Sequence, residues 1–211
     1  MITKPLSLKP LCLAALLCAA AAATSANAAI TVYTTQSSFL AAVSAPGIDS
    51  FNDLSVDALG DSLNRTAGAY SYTASAVDGL YGAGNAGDYW LSTNSRFDPI
   101  VFSGFSAGVN AFGGNFFGSD ISGAFVANGT LLLTASDGTT LNYTLNGATQ
   151  GSFLGFISDT GLTTVAIEAS PDGAYWPTAN NVVLAVPEPA TYGMFAAGVG
   201  LLGLMGRRRR G

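Results

Sequence analysis

No histidine occurs in these 211 residues, and the two cysteines, Cys12 and Cys18, both lie near the start. The only lysines are Lys4 and Lys9. These absences exclude a good deal. Without histidine there is no Ser–His or Cys–His nucleophile pair and no imidazole base. Without cysteine beyond residue 18 the rest of the chain has no disulfide and no thiolate ligand, and zinc loses its usual donors. Cation-rich surface is also missing. Between Ala29 and Val186, eleven aspartates and Glu168 face only Arg65 and Arg96, a net charge of −10. The whole-chain value of −5 includes cationic ends. A segment this acidic does not bind nucleic acid, whose phosphates need a Lys/Arg surface.

The first 28 residues have the layout of an export leader. Lys4 and Lys9 form a charged start, Leu11 to Ala23 is apolar, and Ala26-Asn27-Ala28 is an A-x-A cleavage site. Signal peptidase is therefore an expected partner, with Ala26 and Ala28 marking the cut and Ala29 the mature start. Three regions follow: residues 1–28 as a signal peptide with its helix, 29–186 as one domain, and 187–211 as a separate tail. About 158 residues suffice for a single domain with a real core.

That domain is rich in Gly, Ser, Thr, Asn and Ala, and turn dipeptides interrupt it: Asp78-Gly79, Asn128-Gly129, Asp137-Gly138, Asn146-Gly147 and Asp172-Gly173. Asn-Gly and Asp-Gly tolerate the positive φ of tight hairpins. Short β-branched and aromatic runs lie between them. Strands are expected near 30–34, 48–51, 69–74, 89–92, 100–105, 109–117, 130–135, 140–145, 152–157, 163–169 and 182–185. One helix is expected near Ser37–Val43, with Thr35 or Ser37 as N-cap and Pro46-Gly47 as its end. The fold class is mainly β, an antiparallel β-sandwich with one short N-terminal helix.

Two features carry possible chemistry. Asp49, Asp53, Asp57 and Asp61 recur every four residues, with Asn52 among them. On a helix they would stack and repel, so an irregular loop is expected. It is either a plain solvated acidic loop or a calcium loop with Asn52, Asp53, Asp57 and Asp61 as oxygen donors, although no EF-hand pattern is present. No other cofactor is expected. The second feature is a pair of aromatic doublets, Tyr89-Trp90 and Tyr175-Trp176. Neighbouring strand residues face opposite ways, so each doublet should place one ring in the core and one outside. Outward rings can stack on sugars, which makes Trp90, Tyr175 and Trp176 candidate carbohydrate contacts. Core packing plus an ordinary surface ring is the other reading.

The tail begins Val186-Pro187-Glu188-Pro189-Ala190. Pro187, Glu188 and Pro189 cannot continue a helix backwards and read as an extended, protease-accessible junction. Ala190 to Gly206 carries no charge, and as a helix would cover roughly 25 Å, short of a ~30 Å hydrocarbon core. Arg207–Arg210 follow and would stay cytoplasmic. This reads as a marginal C-terminal transmembrane helix and a transient inner-membrane anchor. The order of motif, apolar span and arginine block resembles the PEP-CTERM sorting signal of Gram-negative bacteria. That resemblance implies an exosortase as partner, acting at Pro187-Glu188-Pro189, and release to the cell surface or an exopolysaccharide matrix.

The body of the chain resembles exported jelly-roll domains that carry such tails. The resemblance rests on Phe39, Ile48-Asp49-Ser50-Phe51-Asn52-Asp53-Leu54, Val109 to Phe116, Ser152 to Phe156 and Asn180-Asn181-Val182. Related sequences often carry Asp-Asn-Val in the last of these, where this chain has Asn180. The function expected is a non-enzymatic surface or matrix protein associated with exopolysaccharide. The alternative is a glycan-active enzyme, hydrolase or lyase, working with paired carboxylates alone.

Overall fold

A computed structural model describes residues 29–188. The strands are β1 (Ile30–Tyr33), β2 (Val43–Asp49), β3 (Ala58–Ala67), β4 (Tyr70–Asn85), β5 (Asp88–Thr93), β6 (Ile100–Ser103), β7 (Ala111–Ser119), β8 (Phe125–Val126), β9 (Gly129–Ser136), β10 (Thr140–Ala148), β11 (Phe153–Ser158), β12 (Thr164–Ala169) and β13 (Trp176–Pro187). One helix, α1 (Gln36–Leu40), lies between β1 and β2, and the Thr35 hydroxyl caps it by accepting the Ser38 N–H.

All thirteen strands belong to one antiparallel sheet. Ten follow an unbroken path in the order β1-β11-β7-β13-β5-β4-β6-β12-β9-β10, while β2, β3 and β8 pair to its side. The path curls into a near-closed barrel. Phe116 and Phe156 from one end and Leu131 and Leu133 from the other are buried in one cluster. The expected two-sheet jelly-roll sandwich is therefore corrected. The physical reason is β4. Its first half pairs with β6 at Thr73–Ser75, and its second half pairs with β5 from Leu80 onwards. Between the halves Gly79 takes φ +100, and Gly60 beside it on β3 takes φ +82 where that ladder shifts register. Two glycines at one level let the hairpin bend, so one sheet serves as both walls.

A second correction concerns the membrane. Among the described residues no helix is long and apolar enough to cross one, which corrects the expected transmembrane helix and the transient inner-membrane anchoring drawn from it. Residues 1–28 and 189–211, on which the leader helix, its cleavage site and the apolar span were placed, lie outside the described residues.

One wall is covered on both faces. Inside, Phe102, Phe112 and Phe116 pack ring on ring. Outside, Phe39 of α1 lies over the Gly113–Gly155 pair of β7 and β11 and against Phe153. A Cβ on Gly155 would sit 2.4 Å from the Phe39 ring, so this glycine makes room for the helix. Double coverage explains why β7, β11 and β13 are buried almost throughout and do not alternate. Pro46 does not end the helix. It lies inside β2, which pairs only with β13, at a bulge where Ala45 takes φ +49. An edge strand tolerates the missing N–H.

Candidate functional site

The acidic series is not a gathered site. Asp49 is buried at the end of β2 and binds Arg65 of β3 in two bonds, Nε to Oδ2 at 2.8 Å and Nη2 to Oδ1 at 2.6 Å. Tyr72 of β4 donates its hydroxyl to Asp49 Oδ2 at 2.7 Å. Asp53 takes the outer edge of the same guanidinium at 2.6 and 2.7 Å. Its hydrogen bonds to Arg65 hold the Asp53 carboxyl below the usual range. Burial, then the Asp49 charge, pushes the Tyr72 phenol well up. Asn52 Oδ1 accepts the Tyr89 N–H, and Asp57 Oδ1 accepts the Ala58 N–H. Asp61 stands exposed on β3. No group of three or more His, Cys, Asp or Glu able to hold a metal exists among the described residues. The network around Arg65 ties β2, β3 and β4 together.

The aromatic doublets divide sharply. Trp90 is in the core, edge-on to Phe117 at 4.9 Å, and its buried indole N–H has no hydrogen-bond partner. Tyr175 is locked in place. Its hydroxyl accepts the Thr130 N–H at 2.7 Å and donates to Thr130 O at 2.9 Å. Its ring fills the space left by Gly118, Gly129 and Gly173. Trp176 alone of the three lines an open cleft, about 210 Å³ in volume, shared with Tyr81, Asn94, Asp120 and Ile121. The Trp176 indole N–H donates to Asn94 O at 3.3 Å. Arg96, outside the lining, donates to Gly173 O and stacks on Phe97 at 4.4 Å.

The cleft floor is a buried hydroxyl cluster. Thr178 Oγ1 donates to Ser119 Oγ at 2.8 Å, and Ser92 Oγ donates to Pro177 O at 3.0 Å. On the rim, Asp120 Oδ1 accepts from the Ser122 N–H, the Ser122 hydroxyl and the Ala124 N–H. The Ser122 hydroxyl first, then the Ala124 N–H, hold its carboxyl below the usual range. Sequence reasoning missed Tyr81, Asn94, Asp120 and the serines. They come from three separate segments, and a lone Ser or Asp beside a turn carries no local signal of a shared cleft.

Part of the tail motif is folded onto the domain. Pro187 is the last residue of β13, opposite Val43 of β2, and the Glu188 N–H donates to Ala42 O at 3.2 Å. Pro189 lies outside the described residues. Asn180 is buried in a bulge of β13; its side-chain amide donates to Asp88 Oδ1 at 3.2 Å.

No curated protein and no solved structure matches this chain. Residues 185–210 match the family described as the PEP-CTERM protein-sorting motif. The chain thus carries a PEP-CTERM protein-sorting motif that begins within the end of its last strand, and that motif supports sorting to the cell surface by an exosortase.

Proposed function

We propose that this is an exported surface protein whose β domain associates with exopolysaccharide without acting on it chemically. The observation that carries the reading is the sorting motif at 185–210, at the end of a compact β domain. The chemistry available supports the non-enzymatic half. No histidine is present, and the open cleft has one carboxylate, Asp120, in its lining. Three hydrogen-bond donors keep that carboxylate ionised, so it is a poor general acid. A glycosidase needs a second carboxyl roughly 5–10 Å away, and none lines the cleft.

The test uses protein recovered from the surface of its native host and the host's extracellular polysaccharide. The expected result is that the two co-sediment and that no reducing ends or unsaturated sugars accumulate on prolonged incubation. Release of either product would replace this reading with the glycan-active enzyme. Failure to co-sediment would remove the polysaccharide partner.

A further inference from the structure

The cleft has the chemistry to say which polysaccharide it takes. We propose that Trp176 and Tyr81 hold a segment of neutral glycan chain laid across the hydroxyl floor of Ser92 and Ser119. This rests on the reading that the domain associates with exopolysaccharide, and it adds a location and a ligand class.

Four observations converge. First, the cleft combines apolar rings with polar edges. Trp176 is half-buried with its N–H tied to Asn94 O, so the ring is fixed before any ligand arrives and little rotamer entropy remains to be lost. Tyr81 shares the lining, and Ile121 is 85 % exposed beside them. A sugar ring has an apolar C–H face and a hydroxyl rim, and such a surface complements both.

Second, the floor is polar and has a long bond at Ser119. Thr178 donates to Ser119 Oγ at 2.8 Å, with Trp176 O as a further acceptor at 3.2 Å, and Ser92 donates to Pro177 O at 3.0 Å. Ser119 and Ser92 are bonded at 3.3 Å, long for hydroxyls, and a ligand oxygen reaching the floor would offer a shorter bond.

Third, the charge selects against acidic sugars. Asp120 is the one ionised group in the lining, and no Arg or Lys accompanies it. Uronates, sulfates and phosphates would meet a fixed anion on a domain that carries −10. A neutral hydroxyl can donate to that carboxylate instead.

Fourth, the size suits a chain in passing. A volume of 210 Å³ is below the ~300 Å³ at which pockets begin to enclose small molecules. An open cleft of that size covers a short stretch of a longer polymer.

The experiment uses the surface protein from its host. The host's extracellular polysaccharide is split by anion exchange into neutral and acidic fractions, and binding is read by affinity electrophoresis and tryptophan fluorescence. The wild type should bind the neutral fraction more tightly. Binding should move its emission, because Trp176 reports on the cleft while Trp90 is buried. Trp176→Ala and Tyr81→Ala should each weaken binding about tenfold or more. Trp176→Phe, which keeps a ring, should retain part of the affinity and lose the emission change.

Wild-type binding with unchanged affinity in both alanine variants would overturn the cleft assignment and leave the polysaccharide reading standing. Preference for the acidic fraction would overturn the charge argument and the proposal with it. Binding to neither fraction would end both readings. If the alanine variants do not fold, the phenylalanine variant decides: an emission change that persists in it comes from elsewhere and refutes the cleft.

Discussion

Arg65→Ala should destabilise this domain far more than loss of the other acid that Arg65 binds. The guanidinium holds two carboxylates of different exposure. Asp49 is 4 % exposed, and its other partners are the Tyr72 hydroxyl and the Phe51 N–H. Asp53 is 66 % exposed. Removing Arg65 strands a buried negative charge at Asp49, which costs about 3–5 kcal/mol. The Asp53 pair is solvated and contributes no more than about 1 kcal/mol. Phe51, at φ +58, also loses the guanidinium that lies 5.2 Å above its ring. For a domain of this size each kcal/mol moves Tm by about 2–4 °C, so Arg65→Ala should lower it by roughly 10 °C and Asp53→Ala by at most about 4 °C. Thermal melts followed by circular dichroism measure both. The double variant Asp49→Asn, Arg65→Met removes both buried charges and should lose less than the sum of its singles. Equal, small losses in Arg65→Ala and Asp53→Ala would refute the claim that the buried Asp49 pair dominates.

Three further outcomes are expected. Gly47→Ala should cost about 3 kcal/mol in urea unfolding, because a Cβ there would sit 2.0 Å from Ala67 O and backbone cannot step aside; Gly138→Ala, at φ +104 in open space, should cost about 1 kcal/mol. Asp53, Asp120 and Asp137 are all held below the usual carboxylate range, the last chiefly by the Ser158 hydroxyl. Depressed folded values add stability above the unfolded value and lose it as pH falls, so the urea midpoint should be level above about pH 5 and drop below about pH 4; a level midpoint down to about pH 2.5 would contradict this. A Gly-Ser insertion between Val186 and Pro187 should free Glu188 from Ala42 and speed processing of the motif in the host, whereas an unchanged rate would mean that this pairing does not limit access.

The β character was legible because β-branched runs and turn residues are local signals. The helix and its Thr35 cap were legible for the same reason. What escaped depended on partners distant in sequence. β3 is polar and its burial is shallow, so Asp61-Ser62-Leu63-Asn64-Arg65 reads as loop until β4 supplies a ladder. Asp78-Gly79 reads as a hairpin turn, yet it bends one continuous strand between two walls. Asn146-Gly147 likewise falls inside β10, at a register shift. Asp137-Gly138 does close a hairpin, but Asp137 also accepts the Ser158 hydroxyl at 2.6 Å, a tie no turn rule foresees. The doublet rule, one ring in and one out, is a rule about faces. Which ring meets an open cleft is set by Asn94, Asp120 and Tyr81, which arrive from other strands and turns.

The motif at residues 185–210 supports sorting of this β domain to the cell surface. The most direct measurement replaces Pro187-Glu188-Pro189 with three alanines in the native host and quantifies the chain in the surface and exopolysaccharide fractions, with intact-mass analysis of the surface form. The wild type should be found there without Arg207–Arg210, and the alanine variant should be depleted from both fractions. Equal amounts of the two proteins at the surface, or a wild-type surface form that still carries Arg207–Arg210, would contradict the account.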